Sequence, residues 1–162
     1  GREWPYKDVP RRIIAEKYME DKTIGELNDY KFMCFNGTVN CCFVCTDRFN
    51  AGLKVTFFDK AWKVMPFKRH YPISDKPIDK PKNYDKMVEI AEQLSKDIPF
   101  VRTDFYEING KLYFGELTFY PGSGFEEFQP EEWDKVFGDW IELPKRRNNY
   151  DFDRCGFCTD EK

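Results

Sequence analysis

Arg102, Asp104, Glu116 and Thr118 are the residues of this chain whose types and spacing point most directly to chemistry. Arg102 and Asp104 are two apart in one β-prone run, and Glu116 and Thr118 are two apart in the next. Residues two apart on a strand share a face. If the two runs form a hairpin with those faces matched, a cation, two carboxylates and a hydroxyl gather on one patch. Such oxygen donors suit a hard cation like Mg²⁺, which takes one or two carboxylates and keeps waters and phosphate oxygens. The guanidinium beside them would balance charge and touch a phosphate. The Pro121-Gly122-Ser123-Gly124 loop that follows can turn backbone N–H groups toward an anion. The plainer alternative is a solvated strand face with one salt bridge, worth little.

Which alternative holds depends on the turn at Asn109-Gly110. A two-residue turn pairs Ile108 with Lys111, sets Glu116 opposite Thr103 and points Asp104 the other way. A three-residue loop, Ile108-Asn109-Gly110, with Gly110 left-handed in a bulge, pairs Glu107 with Lys111. Arg102 then faces Glu116, and Asp104 is a diagonal neighbour. The shared patch is expected with the three-residue loop.

Other elements must hold this hairpin in place. Arg12 to Glu20 reads as a strand entering an irregular connection. Asp29 to Cys45 reads as a hairpin turning at Asn36-Gly37, and Gly52 to Phe58 as a further strand. The aromatic and basic run from Trp62 to Tyr71 takes no assignment. Pro77 and Pro81 make Lys76 to Lys82 a stiff loop. Asn83 is placed to cap a helix whose Met87, Ile90, Ala91 and Leu94 recur at helical spacing, and Pro99 blocks its continuation. Strands at about Phe100–Glu107 and Lys111–Phe119 follow, then a short helix over Pro130–Phe137, pinned to the sheet by Phe125, Phe128 and Trp133. The sum is α+β: a mainly antiparallel sheet with a few packed helices. Residues 1–144 are expected to form the domain and 145–162 a polar, mobile tail that includes Lys145-Arg146-Arg147.

Composition narrows the functional classes. The 162 residues are room for one ordinary domain. Twenty-nine Phe, Tyr and Trp can bury a core, which excludes a disordered chain. No stretch approaches the ~18 uncharged apolar residues of a membrane span. A net charge of −3 argues against nucleic acid as the main partner. A single histidine, His70, leaves no material for a His-rich metal site or a Ser-His-Asp triad. The polar opening lacks the pattern of a secretory signal, so a cytoplasmic setting with free thiols is expected.

Cys42 and Cys45 are spaced as C-x-x-C, as are Cys155 and Cys158. Two such pairs are the raw material of a four-thiolate zinc site. The first pair sits in an apolar strand, where residues three apart point to opposite faces. Cys34, Cys41, Cys42 and Cys45 therefore read as small core hydrophobes.

Several of these segments together resemble a known family. Arg102-Thr103-Asp104-Phe105, Gly115-Glu116-Leu117-Thr118 and Pro121-Gly122 resemble the metal-binding hairpin of ATP-grasp enzymes. Ala15-Glu16-Lys17-Tyr18-Met19 looks like their hinge segment, and Asp29-Tyr30-Lys31-Phe32 like the strand after it. With Asn36-Gly37, Thr46-Asp47-Arg48-Phe49 and Ser74-Asp75-Lys76-Pro77, the likeness extends over about residues 1–144 to the TupA-like ATP-grasp family.

That resemblance implies an ATP- and Mg²⁺-dependent enzyme of bacterial cell-surface polysaccharide or teichuronopeptide assembly. Such an enzyme activates a carboxylate as an acylphosphate for attack by an amine or similar nucleophile, so its partners are ATP and a small-molecule or saccharide acceptor. It implies Asp104 and Glu116 as Mg²⁺ ligands, with Thr118 where the wider superfamily commonly has Asn. It implies Arg102 as the catalytic cation, Glu16, Lys17 and Met19 at the adenine, Asp29 at the ribose and Lys31 toward phosphate. The ATP-clasping lobe of that superfamily precedes the hinge, and only fifteen residues precede Glu16. The chain is therefore expected to be the C-terminal portion of a longer enzyme, inactive alone. A glycosyltransferase-like enzyme of the same pathway and a non-catalytic binding module of the fold are the other readings.

Overall fold

Alternating apolar residues around Asn36-Gly37 build the central hairpin. In a computed structural model that describes residues 4–19, 27–47 and 52–144, β1 (Asp29–Phe35) pairs antiparallel with β2 (Thr38–Thr46). Asn36 and Gly37 take φ values of 51° and 78°, the left-handed pair that a two-residue hairpin turn demands. β3 (Lys54–Asp59) adds to the far side of β2. β5 (Phe100–Ile108) lies against the other side of β1 and carries β6 (Lys111–Thr118) at the edge. The five strands run β3-β2-β1-β5-β6, each antiparallel to its neighbour. A small second sheet joins β4 (Lys68–Arg69), inside the unassigned aromatic run, to β7 (Phe128–Gln129). The expected α+β architecture is the one observed.

Each face of the large sheet buries its own cluster. On one face Tyr30, Phe32, Cys34, Val44, Val101 and Phe105 pack on Tyr84, Met87 and Ala91 of helix α1 (Tyr84–Leu94). Met87 and Ala91 are fully buried. On the other face Met33, Phe43, Val55 and Phe57 pack on Phe67 and on Phe137 of helix α2 (Glu132–Asp139). Cys42 belongs to the first cluster and Cys45 to the second, so the first C-x-x-C is split across the sheet as strand geometry requires. Burial pushes the Cys41 and Cys42 thiols well up, away from thiolate chemistry.

Four local expectations are corrected. Residues 10–19 form no strand: Ile13, Ile14 and Tyr18 are exposed, and among the described residues no strand lies alongside to accept their backbone bonds. Asn83 precedes α1 without capping it through its side chain. Its amide donates instead to Glu107 Oε2 at 2.9 Å and to the Gly110 carbonyl at 2.8 Å. The capping acceptor is Glu107 itself, which takes the Asn83 N–H at 2.8 Å. Phe125 pins nothing and is 87% exposed, whereas Phe128 and Trp133 do pack on Phe67. Finally, the β5–β6 turn has two residues: Ile108 pairs with Lys111, and Asn109 and Gly110 both take left-handed φ. The expected three-residue loop is absent because Asn-Gly already satisfies the tighter turn. The segment from residue 145 onward, with Cys155 and Cys158, lies outside the described residues, as do Arg48 and Phe49.

Candidate active site

A two-residue turn alone would send Glu116 to the α1 face. A bulge reverses that. Phe105 pairs with Phe114, but Thr103 pairs with Leu117 and Arg102 with Thr118. Gly115 and Glu116 thus stand together against Asp104, two residues opposite one. The slip of one position turns Glu116 and Thr118 onto the face that carries Arg102 and Asp104. Gly115 permits it. A Cβ there would lie 3.1 Å from the Tyr106 ring and 3.2 Å from the Asp104 carbonyl oxygen. The expected patch is assembled, by a different device from the one the sequence suggested.

On that patch Arg102 is the hub. Its Nε donates to Asp104 Oδ1 at 2.7 Å and its Nη2 to Asp104 Oδ2 at 2.7 Å, a two-pronged grip on one carboxylate. Nη2 also donates to Glu116 Oε1 at 2.6 Å, which accepts from the Thr118 hydroxyl at 3.1 Å. From the neighbouring strand Lys31, the cross-strand partner of Asp104, donates to Asp104 Oδ2 and pairs with Asp29 Oδ2 at 2.8 Å. Five charges alternate in sign across three strands: Asp29, Lys31, Asp104, Arg102, Glu116. Asp29 and Asp104 are almost wholly buried, whereas the Glu116 side chain is 62% exposed. The row runs from a sealed inner end to an open outer one.

Burial works against the charge on Lys31, but the carboxylates of Asp104 and Asp29 outweigh it and hold the ammonium above the ordinary lysine range. Arg102 behaves alike. Its burial is overcome by the Asp104 hydrogen bonds and charge and by Glu116. Both cations are fixed as charged groups.

Two carboxylates and a hydroxyl are an oxygen-only donor set, the kind that Mg²⁺ favours. Glu116 engages Arg102 and Thr118 through Oε1 alone. Asp104 has both oxygens engaged by Arg102 and Lys31. Among the described residues no three His, Cys, Asp or Glu side chains converge as a metal cage. A Mg²⁺ ion held by this set would have to draw the rest of its shell from water and a polyphosphate.

Glu16 and Lys17 are exposed and Met19 is half-buried, all in the irregular 10–19 segment. In the Pro121–Gly124 turn the Ser123 and Phe125 N–H groups bond back to Tyr120 and Gly122 carbonyls within the turn. Gly122 has a further task. A Cβ on it would fall 2.0 Å from Glu126 Cγ, so the glycine lets the Glu126 side chain pass over the loop. Ser74, Lys76 and Pro77 line a polar cleft of about 510 Å³ with Tyr30 and Glu107, on the α1 side of the sheet and away from the carboxylates.

Sequence reasoning missed Arg69. It lies on β4, is 5% exposed, and its guanidinium carbon stands 4.5 Å from the Phe43 ring centroid. Arg102 stands over the same ring at 6.0 Å. Arg69 is one of three cations, with Lys63 and Lys68, in the aromatic and basic run Trp62 to Tyr71, and that run carried no strand periodicity that could assign it a face.

A family model, TupA-like ATPgrasp, matches residues 1–142. The chain belongs to the TupA-like ATP-grasp family. The match spans both the hinge-like segment and the complete charged hairpin, so the row of charges is a feature of a TupA-like ATP-grasp chain. Comparison with curated proteins and with solved structures gave no match. No helix among the described residues is long and apolar enough to cross a membrane.

Proposed function

We propose that this chain supplies the phosphate-facing sheet of an ATP- and Mg²⁺-dependent ligase-like enzyme of bacterial cell-surface polysaccharide assembly, one that activates a carboxylate as an acylphosphate. The observation that carries this reading is the Arg102 bridge between Asp104 and Glu116 on one sheet face. In this reading Glu116, Thr118 and Asp104 hold Mg²⁺, with Arg102 turned from Asp104 toward phosphate. The ion would supply charge neutralisation on the phosphate oxygens. Arg102 meets the charge that develops on the transferred phosphoryl group. Lys31 orients the buried Asp104 carboxylate, and faces the phosphates from β1. Asp29 lies at the ribose side, and Glu16, Lys17 and Met19 supply the adenine edge.

Titration of ATP into the full-length protein, with and without Mg²⁺, tests the reading. Mg²⁺-dependent binding is expected, and Asp104→Asn and Glu116→Gln are each expected to abolish it. Wild-type affinity in both variants would overturn the site. Displacement of ATP by a nucleotide sugar at equal concentration would favour the glycosyltransferase-like alternative, and a melting temperature that no nucleotide raises would favour a binding module.

A further inference from the structure

Arg102 stands between the buried Asp104 carboxylate and the open end of the charge row. The Asp104 side chain is 1% exposed, that of Arg102 11% and that of Glu116 62%. Arg102 Nε donates to Asp104 Oδ1, and Nη2 lies 2.7 Å from Asp104 Oδ2 and 2.6 Å from Glu116 Oε1. A single guanidinium nitrogen therefore fills the space between two carboxylate oxygens. A metal ion bridging the same two oxygens needs that space, so the ion and this nitrogen exclude each other.

A divalent cation by itself is a poor competitor for that space. Mg²⁺ sheds its water reluctantly. The guanidinium it expels would be left next to it with no anion, and a buried charge without its partner is costly. A polyphosphate changes the balance, because a guanidinium grips phosphate in the same paired way as a carboxylate. The fold also sets the direction in which Arg102 can leave. The Arg102 and Arg69 guanidinium carbons stand 6.0 and 4.5 Å from the centroid of one ring, Phe43. Arg69 is 5% exposed, and the charges of the two arginines oppose each other. Arg69 thus closes the inner side, and the way out lies past Glu116.

We propose that Arg102 is a latch on the cation site: it holds the Asp104–Glu116 bridge, excludes a divalent cation presented alone, and frees both carboxylates only when a polyphosphate takes up its guanidinium. The inference rests on the reading of this face as the Mg²⁺ and phosphate site, and adds that entry of the ion is conditional on the nucleotide. By linkage, ion and nucleotide raise each other's affinity by the same factor. Arg102 then acts twice, first as a barrier to the ion and afterwards as the cation that meets the phosphates. Arg69 is the positioning residue behind it, since it keeps the departing guanidinium from turning inward over Phe43.

The test measures Mn²⁺ bound to the full-length protein without nucleotide, by loss of the free-ion EPR signal. Arg102→Met is expected to bind Mn²⁺ at least about tenfold more tightly than wild type, a gain that a merely structural role for Arg102 would not produce. Adding Glu116→Gln to Arg102→Met is expected to erase the gain, which ties it to this bridge. In the ¹⁵N-labelled wild type the Arg102 Nε–H signal is expected to stay in place under Mg²⁺ alone and to move under Mg²⁺ with ATP. Equal Mn²⁺ affinity in wild type and Arg102→Met, a gain that survives Glu116→Gln, or an Arg102 signal that Mg²⁺ alone moves would overturn the latch. The last of these needs only the wild-type protein, so it decides the matter even if Arg102→Met does not fold. A gain of Mn²⁺ binding in Arg102→Met without Mg²⁺-dependent ATP binding in wild type would sink the ligase reading and leave the latch in place. Mg²⁺-dependent ATP binding with equal Mn²⁺ affinity in the two proteins would do the reverse.

Discussion

Lys31 on β1 stands directly opposite Asp104 on β5, and its ammonium is shared between that carboxylate and Asp29, 2.8 Å away. All three residues are buried. Removing the cation takes the shared ammonium from two buried carboxylates, although Arg102 keeps its two-pronged grip on Asp104. Lys31→Met is therefore expected to cost about 3–5 kcal/mol, as breaking a buried pair from one side does. Urea denaturation checks this. A loss under 1 kcal/mol would mean that water reaches the row and screens it.

The same pair predicts a pH dependence. The Lys31 pKa is raised in the fold because Asp104 and Asp29 outweigh its burial. Its stabilisation is thus complete below the unfolded lysine value of about 10.4 and is lost as pH rises through the higher folded value. The stability gap between wild type and Lys31→Met is expected to be flat from pH 7 to 9 and to close above about pH 10.4. A gap that closes on the acid side of pH 7 would put the coupling elsewhere.

Gly115 is where the hairpin changes register, so it is the position at which the patch can be dismantled without touching a charged residue. The Tyr106 ring can yield to a new side chain, but the Asp104 carbonyl 3.2 Å away belongs to the sheet backbone. Gly115→Val is expected to destabilise by about 1–3 kcal/mol through overpacking. It should also weaken Mg²⁺-dependent ATP binding as Glu116→Gln does. Wild-type nucleotide affinity in the valine variant would show that the bulge does not set the site.

The hairpin also shows where sequence reading reaches and where it stops. The alternation of Arg102 with Asp104 and of Glu116 with Thr118 was legible, since a strand's period of two is local. The turn was misread: Asn109-Gly110 is the signature of a two-residue connection, but the shared face was taken to require a three-residue loop. The missing piece was Gly115. A lone glycine within a strand is a sign of a bulge or a close backbone approach, and it was passed over; what it accommodates lies across the sheet, in the Tyr106 ring and the Asp104 carbonyl. Arg69 was illegible for a similar reason. Its neighbours Phe43, Phe57 and Glu126 come from three other segments, and only folding brings them to one cation. The Asn83 helix start was placed correctly and its capping group was not, because the acceptor, Glu107, is twenty-four residues away.

That long-range cap gives a further prediction. Glu107 accepts the Asn83 N–H at 2.8 Å and the Asn83 side-chain amide at 2.9 Å, tying α1 to the β5–β6 turn. Glu107→Ala removes both and is expected to cost about 0.5–2 kcal/mol, the range for losing a cap. Amide exchange should rise first at Tyr84–Met87, the opening turn of α1, and little in β1 or β2. Uniform exchange through the sheet would show that Glu107 supports the core rather than the helix start.

The four core cysteines test whether the first C-x-x-C has any chemistry at all. Cys34, Cys41, Cys42 and Cys45 are buried free thiols, and Cys42 and Cys45 face opposite sides of the sheet. Only a thiolate attacks an alkylating reagent, and burial pushes the Cys34, Cys41 and Cys42 thiols up. Iodoacetamide at pH 8 is therefore expected to leave all four unlabelled in the native protein by peptide mapping and to label all four in urea. Zinc should not raise the native melting temperature through them. Rapid labelling of Cys42 or Cys45 under native conditions would mean that the β1–β2 hairpin opens locally. The buried end of the charge row, Asp29 opposite Cys45, would then open to water with it.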